Sequence, residues 1–593
     1  MKPRQSSWKW LLLGLVAFLL VCLAIVPRQM GDSQQLRKRV TAALSEWTGG
    51  EVTLTEPWSV RYFPPLSIRG GFAVHDATRL SLVQSIIAKD IKISLNVGQL
   101  LLGRLSIDGM RLNRPVITLK GGTAPVSPGE IANLLAGTTV SAMRLRGATI
   151  NSATGQEVVT KLDASFDASD GGGALAAFGS FDLRDETVRF VLDSGALTET
   201  ETGPSAPFRL RISGPITATF NGTALFAGAF QLDGTMQAEI GEGRRFLKWA
   251  GIPVPDSQSL RGLSITGPAH WNGSTLTVDG GSFTLDGNSA VGLLAVTMGE
   301  RPRVEGTLDF ERLALDPYIG GSQADTAPAP QGALLDWALL KYFDADLRVS
   351  AAQIATSAME LGRVGFTVNA KEGVVAAEIG ELELCGGLAF GRLGFDLSQT
   401  RIKASLVGSL ADVDIDPCLK PLALDIPLKG VGTLKTDVTT EGETIDEIVR
   451  SLSGDLKIKA QNGAVPVDFA QLLTASTPLE GDGWSQKNLT PFETLDADCR
   501  LSAGHIWCQR FKMQTQRGLV SGAGDVDMGR QTLDWSLSVA SLMAPLSAAQ
   551  LETSPQVSIR GPLAQPMIRR ADRPTLGEGS TQTSPSDAPV SPR

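Results

Sequence analysis

Between residues 274 and 311 the chain alternates apolar and polar side chains. Leu276 and Val278, Phe283 and Leu285, then Val304, Leu308 and Phe310 fall on every second position, with Thr275, Thr277, Thr284, Arg303, Glu305, Asp309 and Glu311 between them. A period of two predicts β-strands with one apolar and one wet face. Asp279-Gly280 and Asp286-Gly287 supply the residues that two-residue hairpin turns need, so these strands are expected to pair as an antiparallel meander. An apolar face of that kind must be covered by something.

The same period governs most of the chain. Helical spacing first appears at Ser33 to Trp47, where Leu36, Val40, Ala43, Leu44 and Trp47 predict a short helix ended by Gly49-Gly50. Strand patterning follows from Glu51 to Leu119, and again from Met143 to Ala238 with turn signals at Gly155, Asp170-Gly171, Asn221-Gly222 and Asp233-Gly234. Gly243 to Ala250 reads as a short helix docked by Phe246, Leu247 and Trp249. Further short helices are expected at Ile131 to Leu135, Leu334 to Phe343, Thr444 to Leu452 and Asp468 to Leu473, and a turn at Asn462-Gly463. Gly121 to Gly129 and Ile319 to Gly332 are Gly/Pro/Ser-rich spacers, and the tail from Ala571 has the composition of a disordered segment.

Strand-like runs number on the order of 30, and at about 4.8 Å per strand one continuous ladder exceeds 100 Å. Helices this short and few cannot roof it. Either the strands divide into several sandwiches that bury their own faces, or one long sheet curls and leaves an apolar trough. Exposed apolar surface on that scale marks a binding site, and the fitting ligand is long, flexible and greasy.

Composition narrows the surroundings. The 593 residues are 42% apolar and 20% charged with a net charge of −8, which offers no basic stripe for nucleic acid. The 64 glycines follow no collagen period and suit turn-rich β structure. Trp10 to Val26 carries no charge and spans about 25 Å as a helix, the short end of what crosses a bilayer. It reads as an uncleaved signal anchor, with Trp8 and Trp10 at headgroup level. A cleaved secretory signal competes, although Val-Pro-Arg-Gln stands where a small-x-small site is needed. Cys22 lies in that segment. Of the other cysteines, an Ala503-Gly504 turn sets Cys499 opposite Cys508 within disulfide reach, and Cys385 and Cys418 pair by elimination; reduced buried thiols are the alternative.

No motif points to catalysis, and no cofactor is expected. His75, His270 and His505 are the only histidines, none at ligand spacing from a cysteine or carboxylate. Gly391-Arg-Leu-Gly394 and Gly171 to Gly173 do not open a helix in a βαβ unit. Asp412-Val-Asp-Ile-Asp416 places three carboxylates on one strand face, open to a Ca²⁺ reading or a solvated edge. No pair of acids stands out for glycoside hydrolysis.

The two ends of the chain resemble the AsmA family. At the start the resemblance lies in Leu44-Ser-Glu-Trp-Thr-Gly49, Val60-Arg-Tyr-Phe-Pro64, Leu101 to Ile107 and Leu112-Asn-Arg-Pro-Val-Ile117. At the end it lies in Leu452 to Ile458, Asn462 to Val465, Asp468 to Leu473, Phe492 to Ala497, Gly522 to Asp527, Leu533-Asp534 and Ile559 to Pro566. It implies a mainly β protein: an N-terminal transmembrane helix, then a long curled antiparallel-rich sheet forming a taco-like groove, with a few short helices. On this reading residues 1–9 are cytoplasmic, 10–26 anchor the chain in the inner membrane of a Gram-negative bacterium, and the bulk is periplasmic. The parts are an AsmA-like N-terminal region at 27–120, a central meander at 130–318, a linker at 319–332, a β-region at 333–440, an AsmA-like C-terminal region at 441–570 and a tail at 571–593. The implied role is outer-membrane biogenesis by conducting phospholipid along the groove, without enzymatic activity. Leu276, Val278, Phe283, Leu285, Val304, Leu308 and Phe310 are then the lipid-contacting candidates, and a sandwich core is the alternative. The implied partners are the inner and outer membranes, phospholipid and outer-membrane assembly proteins. A second implied function is an assembly factor that lends a sheet edge to outer-membrane proteins and so affects their targeting.

Overall fold

The computed structural model describes residues 33–61, 66–77, 83–96, 99, 107–120, 141–168, 174–201, 203–226, 230–252, 261–299, 301–318, 341–356, 359–398, 401–419, 428–443, 445–474, 480–485, 489–541 and 556–571. The expected membrane span, Cys22, the spacers at 121–129 and 319–332, the helical turn at 131–135, the Asp170-Gly171 turn, most of the expected helix at 334–343 and the tail after Ala571 lie outside the described residues. Among the described residues no helix is long and apolar enough to cross a membrane. Strands dominate, and the chain divides into two compact units: Met1–Leu313 with Tyr342–Val349, and Ala314–Lys341 with Ser350–Arg593.

The first unit opens with the helix Ser33–Thr48, ended where Gly49 turns left-handed at φ +68°. Its Val40 and Leu44 are fully buried against the apolar side of the first strands. From Glu51–Arg61 onward, strands pair antiparallel with their sequence neighbours, with one departure. Ile107–Asn113 and Val116–Leu119 both pair parallel with Ala142–Asn151. A parallel junction needs a crossover of a dozen or more residues, and the intervening 22 positions (120–141) are long enough. The meander then runs without interruption to Arg303–Ala314.

Four of the predicted turns are not turns. Asn221-Gly222 and Asp233-Gly234 lie inside the strands Thr217–Leu225 and Gln231–Ile240, where Gly222 and Gly234 oppose each other. A Cβ on Gly222 would sit 2.6 Å from the Gly234 Cα, so these glycines serve close strand approach. Asp286-Gly287 does form its hairpin, with φ +51° and +86° between Leu285 and Asn288. Asp279-Gly280 instead bulges within the strand Thr275–Leu285, with Gly280 at φ +61° and a register shift between Val278 and Gly281. Bulge and hairpin turn require the same left-handed residue, which is why local sequence does not separate them. Asn462, at φ +51° within Ser453–Val465, is likewise a bulge and not the expected turn.

In the second unit the meander continues from Val364–Lys371 to Met567–Ala571, accompanied by the helices Ile415–Leu419, Ile445–Ser451 and Phe469–Thr474. Ala503 and Gly504, both at positive φ, turn the chain so that Ser502 faces His505 and a disulfide joins Cys499 to Cys508, Cα atoms 3.9 Å apart. A second disulfide, Cys385–Cys418 with Cα atoms 5.7 Å apart, ties a hairpin turn to the helix Ile415–Leu419. That helix removes Asp416 from the strand, which ends at Asp414, so the three acids at 412, 414 and 416 do not share a strand face.

The close strand approach gives a testable consequence. Gly234→Val would push a side chain to within 2.3 Å of the Asn221 carbonyl oxygen, and the expected destabilisation is about 1–3 kcal/mol. Gly365→Ala, at a position with nothing within 4 Å, should leave the denaturation midpoint unchanged.

Candidate functional site

The candidate site is the apolar face itself. In the first unit one cross-strand row reads Val60, Ile68, Ile93, Met110, Met143 and Phe166, and continues through Ala177, Leu192, Leu210, Phe220 and Met236, each opposite the next. A second row joins Ala238, Ile265, Phe283, Ala290 and Phe310. Register is held because a slip of one residue would turn a whole strand's apolar set to water. Where a strand carries an extra residue, its neighbour compensates: the shift between Thr266 and Ala269 lies beside that between Val278 and Gly281, and alternation resumes on the same face.

All seven candidate positions come together on this face. Leu276 and Val304 both pair with Val296, Leu308 opposes Gly292, Val278 opposes Leu294, Phe283 and Phe310 both pair with Ala290, and Leu285 closes the hairpin opposite Asn288. Val278, Phe283 and Phe310 are buried, while Leu276, Leu285, Val304 and Leu308 are half-buried.

Coverage varies along each unit. At the start of the first unit, Ile68, Phe72, Ile91 and Ile93 are sealed under Val40 and Leu44 of the first helix. From Leu175–Leu183 onward, Leu192, Leu210, Leu232, Met236, Leu294 and Leu308 are only half-buried. The nine strands from there to Arg303–Ala314 (without the three-residue Thr198–Thr200) extend about 40 Å at 4.8 Å per strand. The second unit is arranged alike: Phe366, Val368, Ile379, Leu393, Leu406, Leu434 and Leu456 are half-buried, whereas its last strands are packed by Val467 and Phe469, with Trp484 donating to the Leu563 carbonyl at 2.8 Å. The Cys499–Cys508 disulfide lies on the apolar face, among Leu456, Ile458, Phe511 and Trp535. Among the described residues no second sheet is present.

One concavity was not foreseen from the sequence. Val375, Phe395, Ala404 and Thr440, consecutive across four strands, floor an open pocket of about 670 Å³ whose rim carries Asp396, Lys403, Glu441 and Ser451. The signal was available in the alternation of Val375, Ala377 and Ile379, but a rim position depends on strand ends that pattern places poorly. Asp396 is held below the usual carboxylate range by hydrogen bonds from the Ser398 hydroxyl and backbone N–H.

The outward face is polar chemistry without convergence. His270 pairs with Asp233 at 2.5 Å and His505 with Asp525 at 3.1 Å, cross-strand partners that sequence spacing does not reveal. Among the described residues no three His, Cys, Asp or Glu side chains form a metal-holding group. At one rim of the first unit the helix Gly243–Ala250 has no buried residue; Phe246, Leu247 and Trp249, expected to dock it, are half-buried. Polar contacts hold it as well. Arg245 grips Glu186 through two hydrogen bonds of 2.7 and 2.6 Å, and Arg184 donates to the Trp249 carbonyl at 2.8 Å. The guanidinium lowers the Glu186 pKa below its ordinary 4.5. A depressed carboxyl pKa contributes stability above the unfolded value and loses it as pH falls through the folded one. Protection of this helix's amides, taken relative to the intrinsic exchange rate at each pH, should therefore fall as pH is lowered below 4.5, whereas Glu186→Gln should be less protected at neutral pH and show no such acid step.

Against this geometry, comparison with family models matches residues 301–511 to the AsmA family. No curated protein and no solved structure matches the chain. The matched segment holds four of the C-terminal motifs, from Leu452 to Ala497, and also the middle strands from Arg303 onward that carry Val304, Leu308 and Phe310; the N-terminal motifs precede it. Residues 301–511 of this chain are thus an AsmA-family region.

Proposed function

We propose that the uncovered apolar faces hold the acyl chains of phospholipids, and that the protein conducts them in support of outer-membrane biogenesis. The observation that carries this reading is the combination of an in-register apolar face with half-burial and no second sheet among the described residues. A hydrocarbon tail spans about 15 Å, half of a bilayer core, so the roughly 40 Å open stretch of the first unit has room for more than one tail in line. Each buried methylene gains about 0.8 kcal/mol, and the gain is the same at every step along the face, which favours sliding over specific capture. Charged groups at the rim, as around the Val375 to Thr440 pocket, suit headgroups that stay in water. AsmA-family proteins are membrane-associated and non-enzymatic, which agrees with a passive conduit. In this reading residues 10–26 anchor the chain in the inner membrane and the bulk lies in the periplasm.

The assembly-factor reading has less behind it. The first strand, Glu51–Arg61, has one described sheet partner, and that edge carries Pro57 and a register break between Thr55 and Ser59. Proline and irregularity are what protected edges carry, and they hinder pairing with a further strand.

Leu285→Glu together with Leu308→Glu should reduce the phospholipid that co-purifies with the full chain by roughly tenfold or more, since buried charge is expelled from hydrocarbon. Thr284→Glu with Thr307→Glu, one residue away on the other face, should leave it unchanged. Equal lipid content in both double variants, measured by mass spectrometry, would contradict the proposal.

A further inference from the structure

The outward face of the first strands carries a row of cations that the apolar face does not explain. Arg69 opposes Lys92, Lys92 opposes Arg111, and Arg111 lies beside Arg144 across the parallel junction. Each stands between residues of the buried face: Arg69 follows Ile68, Lys92 separates Ile91 from Ile93, Arg111 separates Met110 from Leu112, and Arg144 precedes Leu145. All four therefore project to the opposite side of the sheet. None forms an ion pair with a described residue; Arg69 and Arg144 are exposed and Lys92 and Arg111 half-buried, the Arg111 Nε itself being buried without an acceptor. Beyond Arg144 the same row passes through Ser165 to Phe178 and Val191, which are 52% and 42% exposed, and then to Arg211.

Like charges directly opposite one another destabilise a sheet. The chain has the means to avoid this. In the second unit four outward cations are matched, Lys459 with Asp496, Arg500 with Asp455, Arg510 with Asp498 and Arg560 with Asp534, although Lys435 faces Lys457. The row Arg69, Lys92, Arg111 and Arg144 runs over four adjacent strands, where Lys435 and Lys457 make only a pair, in a chain of net charge −8. The strands set these charges about 4.8 Å apart in a line, and the exposed Phe178 and Val191 continue it with apolar side chains suited to a headgroup boundary.

We propose that this face of the first unit rests on a bilayer surface, with Arg69, Lys92, Arg111 and Arg144 engaging anionic phospholipid headgroups. Charge complementarity names the occupant, and the chain's own order supports it: the apolar run Trp10 to Val26 precedes the strand Ser67–His75 by only 40 residues (27–66). The contact would orient the first unit against the membrane surface. It does not depend on what fills the apolar face.

The test uses the full chain in nanodiscs of phosphatidylcholine, with or without phosphatidylglycerol. Amine-reactive labelling of Lys92 is read by mass spectrometry relative to Lys403, an exposed lysine of the second unit. Each cation near an anionic surface strengthens the contact by a factor of about 5, so labelling of Lys92 should fall by at least that factor when phosphatidylglycerol is present. High salt should restore it. The triple variant Arg69→Ser, Arg111→Ser, Arg144→Ser keeps Lys92 as reporter and should abolish the lipid dependence. Equal labelling in both discs, protection that ignores lipid charge, or a triple variant that keeps the effect would each overturn the assignment.

Discussion

Cross-strand register is the constraint on which the rest of the structure depends. A side-chain period of two means that every strand must meet its neighbour in phase, or its apolar residues face water. In the first unit that phase is kept from Val60 to Met236, and in the second from Val368 through Ala377, Leu393 and Leu406 to Val438. Bulges do not break it. The bulge in Leu263–Asn272 lies against the bulge in Thr275–Leu285, and Gly267 and Gly281 meet there, a Cβ on the first falling 2.7 Å from the Cα of the second. Glycine on the apolar side is what lets adjacent strands bend without crowding.

Given that phase, what separates core from candidate site is the presence or absence of a lid. Val40 and Leu44 close the face at the first strands, and Val467, Phe469 and Trp484 close it at the last. Elsewhere the same kinds of side chain, Leu210 and Leu308 or Leu393 and Leu434, are only half-buried. Identical sequence patterning thus produces both a packed interior and an open surface. The disulfide at Cys499–Cys508 lies on this face as two buried sulfurs among apolar neighbours, where it adds covalent rigidity without placing a polar group on the floor.

This explains what could be read from the sequence. The strands, the Ser33–Thr48 helix, the Asp286-Gly287 hairpin and the shared face of Leu276 to Phe310 follow from local periodicity and turn chemistry, which are properties of adjacent residues. Asn221-Gly222, Asp233-Gly234, Asp279-Gly280 and Asn462-Gly463 were misread because a glycine's need for space or for positive φ is the same in a turn, a bulge or a close strand pair. The His270–Asp233 pair, the Arg245–Glu186 grip and the row from Arg69 to Arg144 were out of reach, since each joins residues whose opposition is set only by pairing. Burial was also out of reach: alternation shows which face is apolar, not whether anything covers it.

The central claim is that one face of the sheet, and not the other, meets hydrocarbon. A photoreactive side chain introduced at Leu308 or at Thr307, neighbours on opposite faces, tests it most directly in the full chain within its membrane. The account predicts phospholipid adducts from position 308 and none from 307. Adducts from neither, or equally from both, would contradict it.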